Sequence, residues 1–326
     1  MNKNNLSTIF TYAIEVRKDK GQKILERLKK RELFDNSRGI IENNGKLWIP
    51  VKKRILKAKK ISLPLNPSFS SLHKEFGLKS FDVIGDIIVI FIPDELKNKK
   101  YEIANYLMTL YPKVKAVYCE IGQTKGEYRV QTKKLLLGEG SETIHHENGL
   151  KFKLDITKVF FSPRQATERS NLVKYVKPGD RVCVFFSGIS PIPIYLAKFS
   201  EAKQIVGIEL NEIAHNYAIQ NIKLNNIQGV KLLHGDVVKF VEQLLPEEVF
   251  DLVIMPLPKY SENYIQLVKR ALTEKGRVII YLPGSDKILK NHLQEINKEG
   301  LTVLEVKKGN NIAPKERRYT IHAILD

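Results

Sequence analysis

The sequence predicts an α/β fold in which a mostly parallel sheet over residues 165–326 follows two smaller α+β segments, 1–62 and 70–164. Three observations carry that expectation. Residues 181–186, 204–209 and 250–255 are apolar runs without polar alternation, as strands buried on both faces of a parallel sheet require. Segments of helical length separate them, which suits parallel crossovers. The strands also end in a shared chemistry: Ser187-Gly188, then Glu209, then Gly235-Asp236 after a shorter run at 230–233, then Pro256-Leu257-Pro258. Open α/β sheets bind ligands at the carboxyl ends of their strands, so this edge is the expected site.

Taken from the start, residues 9–16 alternate as a strand and 18–33 carry Ile24, Leu25, Leu28 and Leu33 on one helical face. Asn43-Asn44-Gly45 between apolar flanks signals a hairpin. Trp48, the single tryptophan, is expected in the core of this small module. The basic run 52–60 and the Pro/Ser-rich 64–71 are expected as a linker. In the next segment 81–93 is mostly strand, 96–111 a helix, and 114–121, 128–137 and 150–161 further strands. His145-His146 invite a metal, but neighbouring strand residues face opposite ways and no ligand spacing supports one. A hairpin turning at Asn148-Gly149 accounts for them better.

Ser162-Pro163 opens a helix that carries Arg164, Glu168 and Arg169 toward the sheet. Arg164 and Glu168 are one turn apart, so a surface ion pair is the plain expectation for them. Beyond the four strand runs, 261–272 and 286–298 are helical, and 276–282, 302–307 and 317–325 are strands, the last two an antiparallel closing pair.

Charge narrows the partner. The 326 residues hold 54 Lys and Arg against 36 acids, a net charge of +18. The basic clusters at 52–60, 97–100 and 133–134 precede the strand-end site, which points to a nucleic-acid partner. Cys119 and Cys183 sit far apart in apolar strands and are expected as reduced residues of a cytoplasmic protein. No apolar run reaches membrane-spanning length. The first turn has one glycine and lacks G-x-G-x-x-G, a poor cradle for a pyrophosphate. A sulfonium nucleoside needs only the tight turn, an acid for its ribose about twenty residues on, and an acid at the adenine edge. Glu209 and Asp236 supply these, so S-adenosylmethionine is favoured over a nicotinamide dinucleotide.

Several motifs stand in order: Gly126-Glu127-Tyr128-Arg129, Phe161-Ser162-Pro163-Arg164, Thr167-Glu168-Arg169, Ser187-Gly188 with Pro191, Pro256-Leu257-Pro258-Lys259, and Ala313-Pro314. With them the chain resembles the archaeal tRNA (guanine-37) N1-methyltransferase family across all three segments. The resemblance implies a class I, Rossmann-like S-adenosylmethionine methyltransferase domain at 165–326. Residues 1–62 would contact the tRNA elbow and 70–164 the anticodon stem. The family commonly has Asn-Leu-Pro where this chain has Pro256-Leu257-Pro258, a form resembling the wyosine-associated subgroup that methylates C7 of 4-demethylwyosine and in some members also N1 of guanine.

By that resemblance Glu168 is the expected general base, Arg129 holds the purine O6, and Pro256 shapes the base pocket. Phe160, Arg164 and Lys259 would meet the substrate. Phe186, Gly188, Glu209, Leu210, Asp236, Val237, Pro256 and Pro258 would line the cofactor, with Arg169 at its carboxylate. The implied enzyme is a monomer that methylates tRNA(Phe) without a metal or a membrane. Its competitors are an aminocarboxypropyltransferase on the same wyosine intermediate and a catalytically silent tRNA-binding protein.

Overall fold

The structure, a computed structural model, describes residues 9–35, 40–43, 45–56, 58–63, 69–78, 80–121, 131–244, 249–256, 264–313 and 316–326. They fall into two compact units, Met1–Phe81 with Ile92–Lys113, and Asp82–Phe91 with Val114–Asp326.

The first unit holds β1 (Ile9–Arg17), α1 (Gly21–Lys30), β2 (Ile41–Asn43), β3 (Lys46–Val51), β4 (Ala58–Leu63), α2 (Phe69–Phe76) and α3 (Lys100–Leu110). The strands form a sheet in the order β2-β3-β1-β4. Leu28 of α1 packs with Ile49 and Val51 in its core. Asn43 pairs with Lys46 across the expected hairpin, and Asn44 lies outside the described residues.

Three expectations change here. Residues 58–63 are an edge strand of this sheet, Lys59 and Lys60 included, where a linker was expected. Lysines are common on edge strands because their charge blocks further pairing, so a basic run does not exclude a strand. Helix α2 likewise begins inside the expected 64–71 linker. Trp48 is only half-buried, with Lys59 Nζ 5.5 Å from its ring centroid, because β3 turns it to the sheet's lysine-bearing face and not to the core.

The second unit opens with β5 (Phe81–Ile84), β6 (Ile87–Phe91), β7 (Ala116–Glu120) and β8 (Lys133–Gly138), hydrogen-bonded in that order. A hairpin follows, β9 (Glu142–Glu147) and β10 (Leu150–Asp155), turning at Asn148 and Gly149 with φ of 48° and 81°. Positive φ at both turn residues is the geometry that matches strand twist in two-residue hairpins, as Asn-Gly predicts. The β5–β6 turn sits tightly on β9: a Cβ on Gly85 would come within 2.1 Å of Thr143 Oγ1. Only glycine fits there.

The chain continues with α4 (Ala166–Leu172), β11 (Arg181–Val184), α5 (Pro191–Phe199), β12 (Gln204–Glu209), α6 (Glu212–Leu224), β13 (Val230–His234) and α7 (Val237–Leu244). It ends with β14 (Phe250–Met255), α8 (Ile265–Ala271), β15 (Leu272–Gly284), α9 (Asp286–Lys298), β16 (Leu301–Ala313) and β17 (Glu316–Leu325). Seven strands make one sheet in the order β13-β12-β11-β14-β15-β17-β16. All pairs are parallel except those of β17, which runs antiparallel to β15 and β16. This is the Rossmann-like sheet with its antiparallel closing pair.

The expected seam at residue 164 is not where the compact units divide. Ile84, Ile87 and Val89 share one buried cluster with Phe152, Leu154, Ile189, Tyr195 and Tyr217. A common core joins the middle strands to the methyltransferase sheet, within one compact unit. Among the described residues no helix is long and apolar enough to cross a membrane, and no metal-binding cluster occurs.

Candidate active site

The parallel register brings the strand ends together. Beyond β11 the backbone stays tied to the sheet, with Phe185 N–H donating to Ile254 O (3.0 Å) and Ser187 N–H to Ile208 O (2.8 Å). The chain then turns through left-handed residues: Phe186 at φ 54°, Gly188 at 58° and Ser190 at 62°. Pro191 starts α5 directly after. At the end of β12, Glu209 accepts hydrogen bonds from Gly188 N–H (2.7 Å) and Asn211 N–H (2.8 Å), so its carboxylate staples the turn to the neighbouring strand. Burial pushes the Glu209 carboxyl up, and these backbone donors pull against that rise.

One strand further, Asp236 caps α7 by accepting from Val238 N–H at 2.9 Å. Leu210 O faces His234 Nε2 at 3.2 Å. Val237 is buried in the sheet's core, so at this edge it offers backbone and not side chain. Phe186 packs edge-on against Tyr264, ring centroids 5.0 Å apart. Pro256 follows Met255 at the end of β14 and is half-buried. Pro258 and Lys259 lie outside the described residues, as does Arg129.

These residues fit a sulfonium nucleoside. A Cβ on Gly188 would meet nothing within 4 Å, so the space over the turn is open. The turn 185–191 carries no basic side chain for a phosphate, and two carboxylates stand at adjacent strand ends.

Helix α4 sends its two central charges in different directions. Arg169 is buried and forks onto Glu147, with Nε to Oε1 at 2.9 Å and Nη2 to Oε2. It also donates to Ser162 O and stacks over Phe161, Cζ 4.9 Å from the ring centroid. Tyr195 OH donates to Glu147 Oε1 (2.8 Å), and Asn148 Nδ2 donates to Tyr195 OH (2.9 Å). Burial raises the Glu147 carboxyl, but hydrogen bonds from His145 and Arg169 outweigh it and hold the group at about 2. Glu168 instead reaches Arg318 of β17, Oε2 to Nη1 at 2.8 Å.

Residues 143–305 match the TRM5/TYW2 methyltransferase domain, and 70–141 the TYW2 N-terminal domain. The chain belongs to the TRM5/TYW2 methyltransferase family. It is 33% identical over 331 residues to the tRNA (guanine(37)-N(1))-methyltransferase Trm5b of Pyrococcus abyssi, covering 95% of this chain and 98% of that one. It is 32% identical to the tRNA (guanine(37)-N(1))/4-demethylwyosine(37)-methyltransferase Taw22 of Nanoarchaeum equitans, covering 67% of this chain and 88% of the relative. The solved complex of aTrm5 with tRNALeu superposes at a TM-score of 0.70, with 27% identity, over 97% of this chain and 100% of that one.

For this TRM5/TYW2 member two expected contacts are corrected. Arg169 is committed to Glu147 inside the protein, so its charge is not available to a cofactor carboxylate. Arg164 and Glu168 do not pair: Arg164 Nε donates to Asp82 Oδ1 at 2.6 Å, because β5 lies nearer than the next helical turn. Phe160 is 53% exposed, an aromatic face open to a partner. Arg318 went unnoticed in the sequence. Its only local signal is Glu316-Arg317-Arg318, a charged start to an otherwise apolar strand.

Proposed function

We propose that the chain transfers the methyl group of S-adenosylmethionine to the purine at position 37 of tRNA(Phe), at C7 of 4-demethylwyosine, with N1 of guanine as a second activity. What supports this reading is that the Gly188 turn held by Glu209 and the carboxylate of Glu168, held by Arg318 beside the end of β15, lie on one edge of the sheet. When bound, the cofactor supplies an electrophilic methyl on sulfur. Glu209 holds the ribose hydroxyls and Asp236 the adenine edge, while Phe186, Leu210, Pro256 and Pro258 pack around them.

The target base leaves its stack to reach this edge. Guanine N1 bears a proton at neutral pH, and Glu168 removes it while Arg129 takes up the charge that builds on O6. C7 of the tricycle is an electron-rich carbon, which needs in-line placement first and proton loss afterwards. Pro256 favours the tricycle, since it has neither an N–H nor an amide to demand a small polar base. Phe160, Arg164 and Lys259 meet the tRNA beside the base. Residues 1–62 grip the elbow and 70–164 the anticodon stem, and the basic clusters between Lys52 and Lys134 support that division. The enzyme acts as a cytoplasmic monomer and uses no metal.

The match of 70–141 to the TYW2 N-terminal domain favours one second reading, aminocarboxypropyl transfer to the same base. The test is incubation with labelled S-adenosylmethionine and either unmodified tRNA(Phe) or tRNA(Phe) bearing 4-demethylwyosine, followed by nucleoside mass. A methyl on C7 is the expected product. Aminocarboxypropyl addition, or methylation of guanine alone, contradicts the reading. Pro256→Asn is expected to shift the ratio of N1 to C7 product more than it changes cofactor affinity.

A further inference from the structure

The closing strand of the sheet delivers a cation to the expected base. Arg318 lies opposite Pro283, at the carboxyl end of β15, because β17 runs antiparallel and so begins at the edge where the parallel strands end. Its Nη1 donates to Glu168 Oε2 at 2.8 Å. With the Gln165 amide oxygen turned toward it, Gln165 accepts from both Nη1 and Nη2 at 3.0 Å. Arg318 thus bridges two residues of the turn and helix that carry Glu168. The other carboxylate oxygen, Oε1, accepts no hydrogen bond among the described residues. It lies 3.1 Å from where a Cβ on Gly309 would stand, so β16 approaches the carboxylate closely here and the glycine leaves room for Oε1. Both side chains of the pair are 17% exposed, shielded enough to be ordered and open enough to meet a ligand.

We propose that Arg318 is a positioning residue for methyl transfer at N1: it fixes Glu168 by one oxygen and leaves the other, without a hydrogen bond among the described residues, to take the substrate proton. This rests on the reading of Glu168 as the general base. A glutamate at a helix surface samples several rotamers, and a base must lie within about 2.6–3.2 Å of the proton it removes. Anchoring Oε2 removes that freedom. In the N1 reaction the N1–H proton passes to Oε1 as the N1–CH3 bond forms. The broken S–CH3 bond leaves its electron pair on sulfur, and the neutral thioether departs. Arg318 stays protonated throughout; when Glu168 becomes the neutral acid the ion pair is lost and the Nη1–H hydrogen bond to Oε2 remains.

The test is a double-mutant cycle in single-turnover methyl transfer to N1 of guanine in unmodified tRNA(Phe), at saturating cofactor and tRNA, on Glu168→Gln, Arg318→Ala, Arg318→Lys and the double variant Glu168→Gln/Arg318→Ala. Cofactor Kd and Tm are measured alongside. Arg318→Ala is expected to slow transfer ~100-fold, the scale of a misplaced catalytic group, with cofactor Kd unchanged. Arg318→Lys recovers part of the rate. In the Glu168→Gln background the same Arg318→Ala change costs little, since no base remains to position. Equal losses in both backgrounds overturn the proposal, as does a defect confined to KM for tRNA, or a parallel fall in Tm and cofactor affinity. Full activity in Glu168→Gln removes the base itself, whereas a dead Glu168→Gln beside an active Arg318→Ala removes only the role of Arg318.

Discussion

Helix α4 holds two arginine–glutamate pairs through adjacent residues, and they behave differently. The Arg169–Glu147 pair lies inside, 3% and 4% exposed, with every contact supplied by protein: Ser162 O, His145, Tyr195 and the Phe161 ring. The Glu168–Arg318 pair lies at the rim, 17% exposed on both sides, with one carboxylate oxygen uncommitted among the described residues. Consecutive helical residues point about 100° apart, so one turn can face the core and the substrate edge at once. The inner pair fixes where the helix sits. That placement gives the rim pair its geometry, and on the roles proposed above the first pair serves folding and the second catalysis.

The comparison breaks most sharply at the inner pair. Arg169→Ala strands a buried carboxylate, and denaturant unfolding is expected to show a loss of about 3–5 kcal/mol. A loss below about 1 kcal/mol would place the pair with ordinary surface bridges. The same pair sets an acid limit. Because Glu147 is held at about 2, below its ordinary 4.5, its contribution is fully present above about pH 4.5 and fades as pH falls toward 2. The unfolding midpoint of the native protein is therefore expected to drop more steeply across that window than that of Glu147→Gln.

Glu209 offers a third carboxylate for contrast, half-buried where Glu147 is buried, and held by the backbone N–H groups of Gly188 and Asn211 where Glu147 is held by an arginine. Glu209→Ala is expected to weaken cofactor binding by roughly 1–3 kcal/mol in calorimetry without tRNA. Unchanged affinity in both Glu209 and Asp236 variants would remove S-adenosylmethionine from this edge. The smallest effect is expected at Ser190. It adopts φ 62° and ψ 40°, and its hydroxyl is buried without a partner among the described residues. Ser190→Gly is expected to stabilise the fold by about 1 kcal/mol, seen as a raised Tm, because it relieves left-handed strain and an unsatisfied group.

Much of this edge was legible in the sequence because its signals are local. Unbroken apolar runs gave the parallel strands, and 250–255 and 286–298 match the observed elements end to end. Glycine and acid at strand ends pointed to the edge where Glu209 holds the Gly188 turn. The partners of α4 were not legible, since Glu168 finds Arg318 across 150 residues and Arg169 finds Glu147 across 22. The helical i,i+4 rule pointed to Arg164 instead, and tertiary packing overrode it. Strand β4 was missed for another reason: lysines that read as a solvated linker also suit a sheet edge.

The most direct measurement compares Glu168→Gln with the native protein in single-turnover methyl transfer to N1 of guanine in unmodified tRNA(Phe), with Tm and cofactor affinity taken on the same samples. If the rim pair serves catalysis, transfer falls by roughly 100-fold or more while stability changes by less than about 1 kcal/mol and cofactor affinity holds. Native-like transfer, or a rate that falls only as far as stability does, would contradict it.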